Sequence, residues 1–255
     1  MLNIVIPMAG RGSRFQKQGY TLPKPLISVH GKPMIELVIN NLRPKCSHRF
    51  IFLCLQEHID LYNIDEKLRK LVPDFEIVIV NQVTEGAACT VLLAKDYINN
   101  SDQLMIANSD QWVDIDINDY LEVMNQEGVD GLIMTMRADD PKWSFVRFDA
   151  SGRVSEVVEK EVVSNEATVG IYNYRLGSDF VSSAESMIAK SLRVNNEFYV
   201  APVYNEMIEN GSNIAIYNID KDDCSAMYGI GTPEDLKIFE NLEVSKKAVN
   251  LSYAK

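Results

Sequence analysis

The sequence predicts an α/β fold: a mostly parallel central sheet flanked by helices, with an inserted α+β lobe. Three observations carry this expectation. Short apolar runs alternate with helical spacings through residues 1–136, the alternation that builds parallel sheets. The runs are apolar almost throughout, as strands covered on both faces are. After residue 140 the alternation gives way to a hairpin pattern and mixed elements.

Residues 2–8 form the first run, which ends at Ala9-Gly10. Helical spacing over 35–42 follows Pro33, a residue suited to a helix start. A second strand is expected at 50–55, an amphipathic helix at 59–71 stopping before Pro73, and a third strand at 75–80. Gly86 opens a helix expected over 87–97. Strand 103–107 runs into Asn108-Ser109-Asp110, and helix 117–126 leads to strand 131–136. This order is Rossmann-like. In the second half, 146–148 and 154–159 flank a turn at 149–152, followed by strand 168–174, helix 180–190, helix 201–209 and strand 214–219. Thr232 and Pro233 suit the cap and first position of a closing helix. The reading is one domain, 1–242, with a core at about 1–140, a lobe at about 141–230, the closing helix at 232–242 and a loose tail at 243–255.

A net charge of −11 argues against a general nucleic-acid binder, because phosphate backbones need clustered Lys and Arg. It leaves room for a small anionic ligand, since a few local cations can dominate one pocket. Cys46, Cys54, Cys89 and Cys224 form no C-x-x-C pair and are expected to be buried free thiols, which suits a reducing cytoplasmic setting. The apolar N-terminus is too short for a signal peptide, and no apolar stretch reaches membrane-spanning length.

The segment Pro7-Met-Ala-Gly10-Arg-Gly12-Ser-Arg14, followed by Pro23-Lys24-Pro25, carries the strongest chemical signal. Gly10 and Gly12 allow close backbone approach, and successive N–H groups in such a bend cradle phosphate oxygens. Arg14 and Lys24 add cations that would stabilise the charge growing on a departing pyrophosphate. The pattern lacks the Gly-Lys-Ser/Thr of a Walker A loop and the third glycine of a dinucleotide fingerprint. Asp110, at the carboxyl end of a strand, is the candidate Mg²⁺ ligand. Asp114-Ile-Asp116 is read as acidic residues favoured at a helix start.

This loop resembles the G-x-G-x-R…P-K signature of the sugar-phosphate nucleotidylyltransferase family. The resemblance implies a triphosphate held by Met8, Ala9, Gly10 and Gly12, with Arg14 and Lys24 catalytic. It implies nucleotide contacts from Gln82, Glu85, Gly86, Ala87 and Ser109, and Mg²⁺ at Asp110. It assigns Glu159, Lys160, Gly170, Tyr172, Glu197 and Tyr199 to an acceptor-binding lobe. Tyr228-Gly-Ile-Gly231-Thr232-Pro233 resembles the family's closing W-x-D-x-G-T-P motif, with Gly229 where a second metal-binding Asp is usual. Asp220, Asp222 and Asp223 are the nearby candidates to replace it.

Longer stretches, among them EGAACTVLLAK, PKWSF and NNEFYVAPVYNEMI, resemble small cytidylyltransferases of bacterial capsule-synthesis clusters. That likeness implies CTP as donor and L-glutamine phosphate as acceptor, with release of pyrophosphate. An ordinary sugar-1-phosphate nucleotidylyltransferase, a glycosyltransferase using Asp114 and Asp116, and a non-catalytic nucleotide sensor stay open. Homodimers are common in such families; no residue here locates an interface.

Overall fold

The computed structural model describes residues 1–220 and 225–250. Among the described residues, thirteen strands are Leu2–Pro7 (β1), Ser28–Val29 (β2), Lys32–Pro33 (β3), His48–Leu55 (β4), Phe75–Val80 (β5), Gln103–Ala107 (β6), Gln111–Val113 (β7), Gly131–Arg137 (β8), Ser144–Phe148 (β9), Val154–Glu159 (β10), Glu166–Tyr174 (β11), Ile214–Asn218 (β12) and Met227–Gly229 (β13). Nine of them form one sheet along β10-β9-β11-β6-β1-β4-β5, with β8 pairing β11 and β12 pairing β8. Seven of the nine run the same way; only β10 and β11 oppose them.

Alternation along β1 shows why the apolar runs are nearly continuous. Leu2, Ile4 and Ile6 enter one core and Val5 enters another, so both faces are covered. A third core gathers Phe15, Trp112, Leu236 and Phe239, joining the segment after β1 to the helix Pro233–Glu240. Thr232 caps that helix through Asp235 N–H at 3.1 Å.

Several elements differ from the sequence reading. The helix expected over 59–71 is two, Gln56–Tyr62 and Ile64–Leu71, parted by Asn63 in the left-handed region (φ 50°), which Asn tolerates. The helix expected over 87–97 is Ala87–Leu92 and Lys95–Ile98; Leu93 and Ala94 close a tight turn onto Thr90 and Val91 between them. A hairpin of β2 and β3 turns through His30 and Gly31, both at positive φ, as a two-residue hairpin turn requires. Of the cysteines, Cys54 is buried, Cys89 half-buried and Cys46 exposed; burial pushes the Cys54 thiol up to about 12. Cys224 lies outside the described residues. No helix among the described residues is long and apolar enough to cross a membrane.

The loose tail expected from residue 243 is also corrected. Glu243–Asn250 is a helix whose Ser245 and Ala248 are buried. Ser245 Oγ bonds His30 Nε2 at 2.8 Å and Lys247 pairs with Asp114. Deleting residues 243–255 is therefore expected to cost about 2 kcal/mol of stability, read from urea midpoints, whereas a loose tail would leave the midpoint unchanged.

Candidate active site

The parallel strands β1, β5 and β6 open their carboxyl ends on one edge of the sheet, where ligands of such folds sit. A cleft of ≈ 350 Å³ lies there, lined by Ala9, Gly10, Lys24, Thr84, Ser109 and Asp110 among others. Gly86, Ala87 and Glu197 also border it. Gly10 is exposed, and a Cβ there would meet nothing within 4 Å, so the main chain itself faces the opening.

Lys24 and Asp110 meet in this cleft. Lys24 heads a 3-10 turn, Lys24–Leu26, held between Pro23 and Pro25. Its Nζ donates to Asp110 Oδ2 at 2.8 Å, with the two side chains 20% and 28% exposed, so solvent screens the pair only in part. Two glycines make room for it. A Cβ on Gly12 (φ 62°) would lie 3.2 Å from Lys24 Cβ, and one on Gly231 would lie 2.3 Å from Asp110 Oδ2. Ile230 N–H further ties the closing strand to the Asp110 carbonyl at 2.9 Å.

A second cavity, ≈ 230 Å³, shares Ala87 and Asn108 with the first. Glu159, Lys160, Gly170, Tyr172 and Tyr199 all line it, together with Ser144 and Trp143. Gly170 sits at φ 80° where the β11 register slips, and a Cβ there would lie 2.1 Å from Asn108 Nδ2. Its carbonyl accepts Asn108 N–H at 3.0 Å. The Lys160 ammonium stands 5.4 Å from the Tyr199 ring centre, within cation–π range. Tyr172 hydroxyl bonds Thr168 at 2.9 Å. Asp110 also borders a third cavity of ≈ 620 Å³, whose lining includes Arg14, Arg137, Lys142, Lys160, Gly229 and Asp235. Four cations thus share this lining with two carboxylates.

Four expected residues do not line these cavities. Met8 is 2% exposed and belongs to the core, its N–H bonded to Leu53 carbonyl. Gly12 is spent on the approach to Lys24. Gln82 is exposed outside the cleft lining, and Glu85 turns away to Arg193 at 3.0 Å. Arg14 and Glu197 do line cavities, but Arg14 belongs to the third and Glu197 to the first. Thr84, Thr90, Asn108, Gln111 and Lys142 were missed. The 5%-exposed Gln111 carries an Nε2 without a hydrogen-bond partner among the described residues and borders the third cavity. Its position beside Asp110 was the available signal.

The remaining acidic candidates are engaged elsewhere. Asp116 caps helix Ile117–Met124 through Asn118 N–H, and those Asn118 hydrogen bonds hold its carboxyl below the usual range. Asp220 accepts Arg137 N–H at 2.6 Å. Asp222 and Asp223 lie outside the described residues. No cluster of three His, Cys, Asp or Glu suited to a metal occurs among the described residues. One carboxylate still fits Mg²⁺ brought by phosphates, since that ion keeps few protein ligands.

Burial raises the Glu159 carboxyl above its ordinary 4.5, against the opposing hydrogen bond from Ser144 and the charge of Lys160. Between the ordinary and raised values the folded chain keeps a proton that the unfolded chain has released, so this group's contribution to stability falls as pH rises through that window. Glu159→Gln is neutral throughout. Its stability relative to the parent is expected to be greater at about pH 7 than at about pH 4, read from urea midpoints.

Comparisons with known proteins bear on the family and the fold. The sequence pattern described as nucleotidyl transferase matches residues 4–223. The chain is similar to the mannose-1-phosphate guanylyltransferase catalytic subunit beta of Danio rerio, 26% identical over 177 residues, covering 67% of this chain and 49% of that protein. It is likewise similar to the bifunctional protein GlmU of Methanococcus vannielii, 26% identical over 182 residues, covering 67% of this chain and 40% of that one. It spans about half the length, or less, of these curated relatives. Among solved structures, the nucleoside-diphosphate-sugar pyrophosphorylase from Vibrio cholerae RC9 superposes with a TM-score of 0.79 at 28% identity, over 94% of this chain and 100% of that one. The inositol-1-phosphate CTP transferase from T. maritima shares the fold at 14% identity and a TM-score of 0.76, over 98% and 95% of the two chains. With the family pattern matched over most of its length, this chain belongs to the nucleotidyl transferase family.

Proposed function

We propose that this chain transfers the NMP part of a nucleoside triphosphate to the phosphate of a small phosphorylated metabolite, releasing pyrophosphate. The observation that carries the reading is the Lys24–Asp110 pair, set in a cleft with the Ala9–Gly10 main chain and joined through Asn108 to the cavity of Glu159 and Lys160. A donor in the first cavity and an acceptor in the second would meet beside that pair.

In this reading the acceptor's phosphate oxygen attacks the α-phosphorus in line and pyrophosphate leaves opposite. A phosphate monoester is already anionic near neutral pH, so no general base is required, and catalysis is positioning plus electrostatics. Main-chain N–H groups near Ala9 and Gly10 cradle the triphosphate, and Lys24 meets the charge growing on the leaving group. Arg14 supplies a second cation from the cavity beyond Asp110. Gly86, Ala87 and Ser109 bound the nucleotide. Lys160 draws in the acceptor phosphate as a point charge, while Glu159, Tyr172 and Tyr199 enclose its body at the Gly170 bulge and Glu197 stands at the nucleotide side. Asp110 would hold Mg²⁺, which supplies neutralisation of phosphate charge.

The finer assignment is CTP as donor and L-glutamine phosphate as acceptor, in capsular polysaccharide synthesis. It rests on the sequence likeness over nearly the whole chain. The names of the curated relatives favour a second reading, a sugar-1-phosphate nucleotidylyltransferase. Neither Asp114 nor Asp116 borders the cleft, which removes support from the glycosyltransferase reading. Four NTPs screened against phospho-L-glutamine and sugar 1-phosphates, followed by pyrophosphate release, separate the cases. Turnover with CTP and phospho-L-glutamine supports the first; turnover with a hexose phosphate alone supports the second; none with any pair defeats the reaction class.

Lys24→Ala is expected to lower turnover about 10²-fold or more; near-parental turnover would show Lys24 misassigned. Asp110→Ala should abolish Mg²⁺-dependent activity, and an unchanged Mg²⁺ titration would exclude it as the ligand.

A further inference from the structure

The nine-stranded sheet ends at β10, β12 and β5, and the chain treats these edges differently. At β10 a side chain closes off the main chain. Asn205 Oδ1 accepts Val157 N–H at 2.7 Å, and its Nδ2 donates to Val157 carbonyl at 2.9 Å. The β10 register also shifts between Val154 and Glu156, and the exposed Glu156 pairs with Arg147. Bulges, charges and covering groups keep a sheet edge from pairing with another chain. At β12 every residue is buried or half-buried, and Asn218 bonds Glu166.

β5 carries none of these devices. It pairs β4 in parallel through six consecutive residues without a register shift, and its other edge pairs no strand among the described residues. Five of its six residues are apolar, the composition of a strand covered on both faces. The neighbouring β4 is covered in that way, with every residue from Phe50 to Leu55 buried, whereas along β5 only Val80 is buried. Ile79 is 48% exposed. No proline, lysine or bulge interrupts the strand, so its outward N–H and C=O groups form an open ladder.

Charge decides what fits this ladder. A net charge of −11 opposes contact between copies wherever carboxylates would meet. Along β5 the one carboxylate, Glu76, lies 3.9 Å from the Arg49 guanidinium, and the Arg69 guanidinium stands over the Phe75 ring at 5.7 Å. The edge is thus apolar and locally balanced in an acidic chain.

We infer that β5 pairs antiparallel with β5 of a second copy of this chain, about a two-fold axis. Pairing with β4 leaves alternate residues to turn their main-chain groups outward, so residues opposed across the axis are both odd-numbered or both even-numbered. With the axis at Ile77, Ile77 faces its own copy and Phe75 faces Ile79, apolar pairs on one face of the sheet. Glu76 then faces Val78, and no two carboxylates oppose. The shift that set Glu76 against itself would place like charges opposite each other. The clefts lined by Lys24 and Asp110 stay open at opposite ends of the joined sheet, because antiparallel strands point their carboxyl ends apart.

Sedimentation of the full chain over a dilution series tests the pairing. The parent is expected at twice the chain mass of 28.8 kDa, falling toward the single-chain mass on dilution. Ile79→Lys puts a charge on the exposed edge and is expected at the single-chain mass throughout, with a urea midpoint showing that it is folded. Gln126→Lys makes the same charge change at an exposed position elsewhere and should behave as the parent does. As a second measurement, Ile77→Cys in a Cys46→Ser background should form a disulfide between copies with oxidised glutathione, while Cys46→Ser alone should not. A parent that sediments as a single chain at every concentration overturns the inference, as does a dimer that persists in folded Ile79→Lys. Should Ile79→Lys fail to fold, the disulfide decides, and no crosslink beyond that of Cys46→Ser overturns the pairing.

Discussion

A lysine and an aspartate 86 residues apart are brought to 2.8 Å where three stretches of backbone cross. The loop after β1 passes beneath Lys24 at Gly12, and the loop after β13 passes against Asp110 at Gly231. A Cβ at Gly231 would stand 2.3 Å from a carboxylate oxygen of Asp110, and one at Gly12 would stand 3.2 Å from the Lys24 Cβ while adopting an unfavourable φ. Glycine at both positions lets the pair form without displacing either side chain. Sheet order brings the strand ends together; these two glycines let them meet closely enough for a charge pair to form.

The third core explains how the chain keeps so crowded a junction in place. Phe15 follows Arg14 directly and packs in one cluster with Trp112, which follows Gln111, and with Phe239 of the closing helix. The cations and the carboxylate side of the cleft are thus anchored to one apolar body. Pairing of β7 with β13 adds a second tie, since Gly229 lies opposite Gln111. The C-terminal helix extends the same body through Ala248. Positioning on this scale would matter for the proposed transfer, in which the placement of charges carries the chemistry.

Much of the fold was legible because both sheet faces are buried, which leaves apolar runs of strand length separated by helical spacing. What failed were features decided by tertiary contacts. The break at Asn63 looks like any polar residue in an amphipathic helix until its left-handed conformation is seen. Helix Glu243–Asn250 has too few apolar residues to announce itself, and its docking relies on Ser245 and Lys247 finding partners far away in the chain. At the site, glycines and charged residues in ordered motifs placed Lys24, Asp110 and the lobe residues near one another. Side-chain direction was beyond reach: Glu85 carries the right charge in the right loop, yet Arg193, 108 residues later, draws it outward.

Gly229 bears on how the proposed reaction handles charge. A Cβ there meets nothing within 4 Å, and the residue borders the cavity that holds Asp110 and Arg14. A carboxylate would fit at this position, where the chain has glycine; among the described residues, Asp235 lines the same cavity and accepts the Thr232 hydroxyl, and Asp220 accepts the Arg137 main-chain N–H. A site with one carboxylate holds a divalent cation weakly by itself and more firmly once phosphate oxygens complete the shell. Metal and nucleotide would then arrive together, and before they do, Lys24 neutralises Asp110. In the proposed reaction Asp110 would hold the metal and Lys24 would meet phosphate oxygens, so each partner of the pair would gain a second neighbour of opposite charge.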